Sequence, residues 1–215
     1  MSDEQLTALA LSAGAGDRNA LEDFIRSTQR DVWRFVAHLT DVQSADDLTQ
    51  ETFLRAMGSL PRFAGRSTAR TWLLSIARRV VVDRFRNVAA RPKSAHVPDW
   101  SQTLDQRPDR RAPDFSEEVA LNDLLCGLPQ DRREAFVLTQ VLGMSYAEAA
   151  QTVGCPVGTI RSRVARARET LVAVVKGIEV SGREGDYSGE PIEAAVRLLP
   201  GTPLGARVAT HKEVG

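Results

Sequence analysis

Residues 145–168, SYAEAAQTVGCPVGTIRSRVARAR, constrain the fold more than any other stretch. Ser145 and Glu148 form the S-x-x-E box that opens a helix: the serine oxygen takes a backbone amide and the glutamate reaches back. Ala147, Ala149 and Ala150 are small enough for a second helix to approach closely. Gly154 marks a sharp turn, and Pro156 cannot extend the first helix. A second helix starts near Val157. Its Ile160, Val164, Ala167 and Leu171 recur at i, i+4, i+7 and i+11, one helical face. Arg161, Ser162, Ala165, Arg166 and Arg168 lie off that face, free to reach a ligand. A basic αα-hairpin turned to solvent would explain the second helix alone. The box, the turn and the uncovered arginines together describe a helix-turn-helix.

The net charge of zero over 215 residues hides a strong division. Residues 1–59 carry five arginines against ten acids; residues 60–91 carry eight arginines and one aspartate. Residues 156–176 carry four arginines, one lysine and one glutamate. Two basic blocks predict two polyanion-facing surfaces, and the acidic third predicts a different partner. Cys126 and Cys155 lie in no metal-ligand or redox spacing, so the expectation is two thiols in a reducing compartment and no metal. There is no apolar run of membrane-spanning length. The acidic start, MSDEQLTALALSAGAGD, lacks the basic opening of a signal peptide. The expected location is the cytoplasm.

From the amino terminus, residues 3–14 predict a short helix through Leu6, Leu9 and Ala10. Asp17 or Asn19 caps a second, with Leu21, Phe24, Ile25, Thr28, Val32, Phe35, Val36 and Leu39 along one stripe. Ser44 is expected to cap a third, turning Ala45, Leu48, Thr52 and Ala56 inward. Asp46 with Gln50, and Asp47 with Glu51, align at i, i+4 on its outer side. Residues 60–68, LPRFAGRST, form a breaker-rich loop that Ser67 or Thr68 ends as a cap. Over 70–86, Leu73, Ile76, Ala77, Val80 and Val81 make a buried stripe. Trp72, Arg78, Arg79, Val82 and Arg86 fall largely off it. Aromatics beside arginines suit single-stranded nucleic acid, although Trp72 is equally consistent with a core position.

Four prolines break up residues 87–115, which read as an extended linker. Beyond it come helices over Phe115–Cys126, with Val119, Leu121, Leu124 and Leu125 apolar, and over Asp131–Leu142, with Ala135, Phe136, Leu138 and Leu142 inward. No strand alternation appears, so the class is all-α: two small helical domains, 4–87 and 116–177, joined by a flexible linker over 88–115. Residues 178–215, with four glycines within 177–189, are expected to form a disordered tail.

Four segments occur in one order: SADDLTQETFLRA over 44–56, FAGRSTARTWLLSIA over 63–77, LP through GMSYAEAA over 128–150, and CPVGTIRSRVARAR over 155–168. In this the chain resembles the extracytoplasmic-function (group 4) sigma factors of the sigma-70 family, across about residues 4–176. The resemblance implies a sigma-2 and a sigma-4 domain, binding to core RNA polymerase, and promoter recognition at −35 and −10 elements. Polymerase docking on the β′ clamp helices maps onto Asp46, Asp47, Leu48, Thr49, Gln50, Glu51 and Leu54. The −10 element, captured as an unstacked single strand, maps onto Arg62, Phe63, Arg66, Ser67, Thr68, Arg70, Trp72, Arg78, Arg79 and Arg86, with Thr71 in the same run. Readout of the −35 duplex maps onto Thr159, Arg161, Ser162, Arg163, Ala165 and Arg166. A β-flap contact by sigma-4 and an anti-sigma partner also follow from the resemblance. Two departures stand out. Arg79 occupies a position where many relatives carry Asn, which keeps a phosphate contact and leaves the base preference open. Ala165 stands where some relatives place an aromatic.

No Walker loop, metal-ligand cluster or nucleophile–His–acid arrangement is present, and His38, His96 and His211 are scattered. The chain is therefore expected to be neither an enzyme nor dependent on a cofactor. A stand-alone helix-turn-helix regulator is the alternative; it explains 145–168 but neither the acidic helix nor the 60–86 block.

Overall fold

The computed structural model describes residues 1–90, 121–122 and 124–176, and those residues contain helices and no strand. The linker expected over 88–115 falls almost wholly outside them, as do the tail and most of the helix expected over 115–126.

Helix α1, Asp3–Gly14, opens on a capping box between Ser2 and Gln5. Asp17 caps α2, Arg18–Leu39, accepting from the amides of Asn19 and Ala20. Phe24, Val32, Phe35, Val36 and Leu39 are buried along it, following the period of the sequence. The expected Ser44 cap is wrong: α3 spans Val42–Ser59 and its cap is Asp41, whose carboxylate accepts from the Ser44 amide at 2.7 Å. Only Thr40 and Asp41 separate α2 from α3, so the carboxylate nearest the bend takes the orphan amide. A 3₁₀ turn at Leu60–Arg62 carries Pro61, and α4 then runs Ala69–Ala90, beyond the boundary expected at 87. Thr68 Oγ1 accepts from the Thr71 amide at 3.2 Å, which makes Thr68 the capping oxygen of this pair. Leu73, Ile76, Ala77, Val80 and Val81 are buried as the stripe requires.

In the second half, residues 124–126 are helical, and α5 spans Gln130–Phe136. It continues as one turn of π-helix over Val137–Val141, where the Leu142 amide reaches the Val137 carbonyl at 2.9 Å. Gly143, at φ +68°, closes the turn. Helix α6, Tyr146–Val153, opens on the Ser145–Glu148 box and stops at Gly154 in the left-handed region (φ +77°). Helix α7, Val157–Val175, follows.

The two halves are packed together. Helix α4 lies against α6, α2 lies against α5 and its π turn, and one contiguous cluster of buried apolar side chains includes residues of both. At roughly 25 cal/mol per Å² of apolar surface removed from water, that seam adds to the stability of each half.

Candidate nucleic-acid and polymerase interfaces

The helix-turn-helix emerges as its residues dictate. Ile160, Val164, Ala167 and Leu171 are buried against the rest of the second half, so the opposite side of α7 is bare. Arg161, Ser162, Ala165 and Arg166 are all exposed there. Thr159 is half-buried, and its carbonyl accepts from the Ser162 hydroxyl at 2.9 Å. The flanks of the stripe differ from expectation. Arg163 pairs with Asp131 of α5 at 3.2 Å, and Arg168 donates to Gln140 of the π turn at 2.6 Å. Both turn inward because α7 packs along α5, so Arg168 is not free to reach a ligand.

Around the 62–68 loop, Arg62 and Arg66 are exposed and Ser67 and Thr68 half-buried. Gly65 adopts φ +66°, which other residues reach only with strain. The rings of Phe63 and Trp72 meet at 4.8 Å between centroids, tilted by 40°. Trp72 is half-buried and rests on the core by one face, intermediate between the two readings its position allowed. Arg79 and Arg86 are exposed on α4.

Arg70 and Arg78 are not exposed. Arg70 donates through Nε to Asp31 of α2 at 2.8 Å and to the Leu142 carbonyl at 2.6 Å. Arg78 donates to Glu134 of α5 at 2.6 Å. Two of the arginines expected to meet the −10 strand are thus engaged by the second half of the chain. Sequence reasoning missed their partners, which lie 72 and 56 positions away. Burial pushes the Glu134 carboxyl up, and the Arg78 guanidinium pulls it back.

The same seam buries His38. Burial first, and then the charge of Arg34, push its pKa down to about 4; Asn122 opposes that drift and Arg133 adds to it. Its Nδ1 and the Asn122 carbonyl oxygen are buried with no hydrogen-bond partner among the described residues.

The outer side of α3 presents Asp47, Gln50 and Leu54, the last 60% exposed. Glu51 is half-buried and accepts from Arg55 at 2.7 Å, while Arg55 also pairs with Asp83 at 2.7 Å. These two carboxylates, Asp83 ahead of Glu51, hold Arg55 above its ordinary value. Asp46 accepts from the Trp33 indole at 2.8 Å, so it is tied to α2, and Leu48 is half-buried. The face is therefore narrower than the sequence suggested. Among the described residues no group of His, Cys, Asp or Glu is placed to hold a metal, and no helix is long and apolar enough to cross a membrane.

The arrangement has counterparts in known proteins. Residues 24–91 match the family described as sigma-70 region 2, and residues 118–171 match sigma-70 region 4. Over 180 residues, 84% of this chain and 96% of the relative, the sequence is 56% identical to the probable RNA polymerase sigma-C factor of Mycobacterium bovis. It is 34% identical over 180 residues to the ECF RNA polymerase sigma factor EcfG of Rhodopseudomonas palustris, covering 83% of this chain and 96% of that one. Among solved structures, CnrH in complex with the cytosolic domain of CnrY shares the fold at a TM-score of 0.63 and 24% identity, over 81% of this chain and 99% of that one. The sigma factor RpoE of Bartonella quintana, solved with the anti-sigma factor NepR, matches at 0.55 and 26% identity over 75% and 98%. The chain belongs to the sigma-70 family of RNA polymerase sigma factors, which is not a family of enzymes. Within that family it is one of the ECF sigma factors.

Proposed function

We propose that this protein, acting in the cytoplasm, binds core RNA polymerase through the outer face of α3. It then directs the enzyme to promoters by reading a −35 duplex with α7 and a −10 single strand with the 62–72 region. The observation that carries this reading is the exposure of Arg161, Ser162, Ala165 and Arg166 on the side of α7 opposite its buried stripe. Arginines there supply sequence-independent attraction to phosphate and bidentate hydrogen bonds to guanine edges in the major groove. At the −10 element, exposed bases must find contacts that offset the cost of unstacking; the Phe63–Trp72 pair offers ring surface, and Arg62, Arg66 and Arg79 offer charge. Polymerase fixes the separation of the two halves, so two weak sites act as one. On this reading the bonds from Arg70 to Leu142 and from Arg78 to Glu134 part when both halves engage DNA. An anti-sigma partner is included by likeness to the Bartonella quintana relative and its NepR complex.

Run-off transcription with purified core polymerase over a genomic fragment library tests the reading. Initiation at a shared two-part motif is expected. Transcripts that do not depend on the protein, or a protein that fails to bind core enzyme, would overturn it.

A further inference from the structure

Helix α1 lies outside the stretch matched by the sigma-70 region 2 family, which begins at residue 24. It is nonetheless in contact with the segment from the 3₁₀ turn through the loop to the first residue of α4, at three points. Thr7 Oγ1 accepts from the Ala69 amide at 3.0 Å and donates to the Asp3 carbonyl at 2.7 Å. Leu11 lies under Gly65, its methyl carbons 3.7 and 3.8 Å from where a Cβ would stand. Gly14 touches the 3₁₀ turn so closely that a Cβ there would come within 2.7 Å of the Leu60 carbonyl oxygen. Between α1 and the loop runs an open groove of about 540 Å³, lined by Asp3, Thr7, Leu11, Gly65, Arg66 and Thr68 among others.

The Thr7 contact is a helix cap supplied from another helix. The first amides of any helix lack internal partners. In α4, Thr68 takes the Thr71 amide, and Thr7 takes that of Ala69, a residue with no exposed surface. Loss of the Thr7 oxygen would leave a buried donor unpaired at the point where the loop becomes α4. The loop carries Phe63 and Arg66, and the first turn of α4 carries Trp72, so the angle at this junction sets how ring and guanidinium stand to an incoming base.

We infer that α1 is part of the −10-reading apparatus, with Thr7 as a positioning residue that fixes the loop against α4 and Leu11 as the support beneath Gly65. This rests on the reading of residues 62–72 given above. The floor and the cap act on the loop, not on the polymerase face of α3, so their loss should separate strand capture from polymerase binding.

The test uses the full chain assembled with core polymerase. The probe is a non-template-strand oligonucleotide covering the −10 region of a promoter recovered in the run-off experiment, with 2-aminopurine at successive positions to report unstacking. Thr7→Val should bind core enzyme as the parent does and capture the strand roughly five- to tenfold less well, the effect of one unpaired buried amide. Thr7→Ser should restore capture to within about twofold, since its hydroxyl is the same acceptor. Leu11 is 45% exposed, so Leu11→Ala should leave the fold intact and still weaken capture severalfold. Parental capture by both Thr7→Val and Leu11→Ala would overturn the inference, as would a Thr7→Ser variant no better than Thr7→Val. A parent protein that captures no strand at all would instead overturn the reading of the 62–72 region itself.

Discussion

Arg161 and Arg166 are exposed on the side of α7 opposite its buried stripe, while Arg163 and Arg168, on the same helix, are held by Asp131 and Gln140. Replacing the first pair should therefore affect DNA, and replacing the second should affect the fold. Arg161→Ala and Arg166→Ala are each expected to cost about 1–3 kcal/mol at a cognate −35 duplex, measured by fluorescence anisotropy of holoenzyme on promoter variants. Binding to core polymerase should be unchanged. His38 gives a second residue-scale test. Its pKa is depressed from 6.5 to about 4, so the unfolded chain takes up a proton that the folded one refuses. Above about pH 6.5 the ring is neutral in both states and this linkage contributes nothing; the penalty grows as pH falls from there towards 4. At about 1.4 kcal/mol per pH unit, the full loss is on the order of 3–4 kcal/mol. Chemical denaturation across pH 4–7.5 should show this slope, and His38→Gln should flatten it.

At the scale of elements, local chemistry was legible and distant partnership was not. The Ser145–Glu148 box, the Gly154 turn and the α7 stripe are fixed by residues within a few positions of each other, and all three stand as the sequence implied. The α3 cap went wrong because Asp41 and Ser44 are both good capping residues, and only the shortness of the connection to α2 chooses between them. The π turn at Val137–Val141 left no mark in the apolar period, since one extra residue per turn barely moves a short stripe. Arg78 lies off the α4 stripe as expected, yet its acceptor belongs to the other half of the chain, as does one of the two acceptors of Arg70. On α3, the indole that claims Asp46 lies 13 residues upstream, which leaves Asp47, Gln50, Glu51 and Leu54 for the proposed docking face. Asp47→Lys combined with Glu51→Lys should abolish capture of core polymerase in a pull-down while circular dichroism remains helical. Retention of the core at parental strength would remove α3 from the interface.

For the whole molecule, the packing of one half on the other is the finding that composition and motif order did not announce. Glu134 is the pivot: its side chain is 8% exposed and holds Arg78, which is 30% exposed, across the seam. Removing one member of a fully buried pair costs several kcal/mol, and the access of Arg78 to solvent lowers this to about 1–2 kcal/mol. Glu134→Ala should thus lower the melting temperature and widen the distance between fluorophores placed on α3 and α7. It should also raise single-strand binding by the isolated protein, because Arg78 is then unclaimed.

The Arg70 guanidinium spans Asp31 in α2 and the Leu142 carbonyl, one residue before the glycine that turns the chain toward the helix-turn-helix. That single side chain makes the two halves poor interchangeable parts. A chimera that keeps one half and borrows the other from a distant relative would inherit an arginine whose carbonyl sits at the wrong height, and an apolar face cut for a different neighbour. Families of such proteins assembled by exchanging halves should work best when both sides of this seam are carried over together, so the unit of transplantation is the seam with its flanking helices, not the promoter-reading half alone.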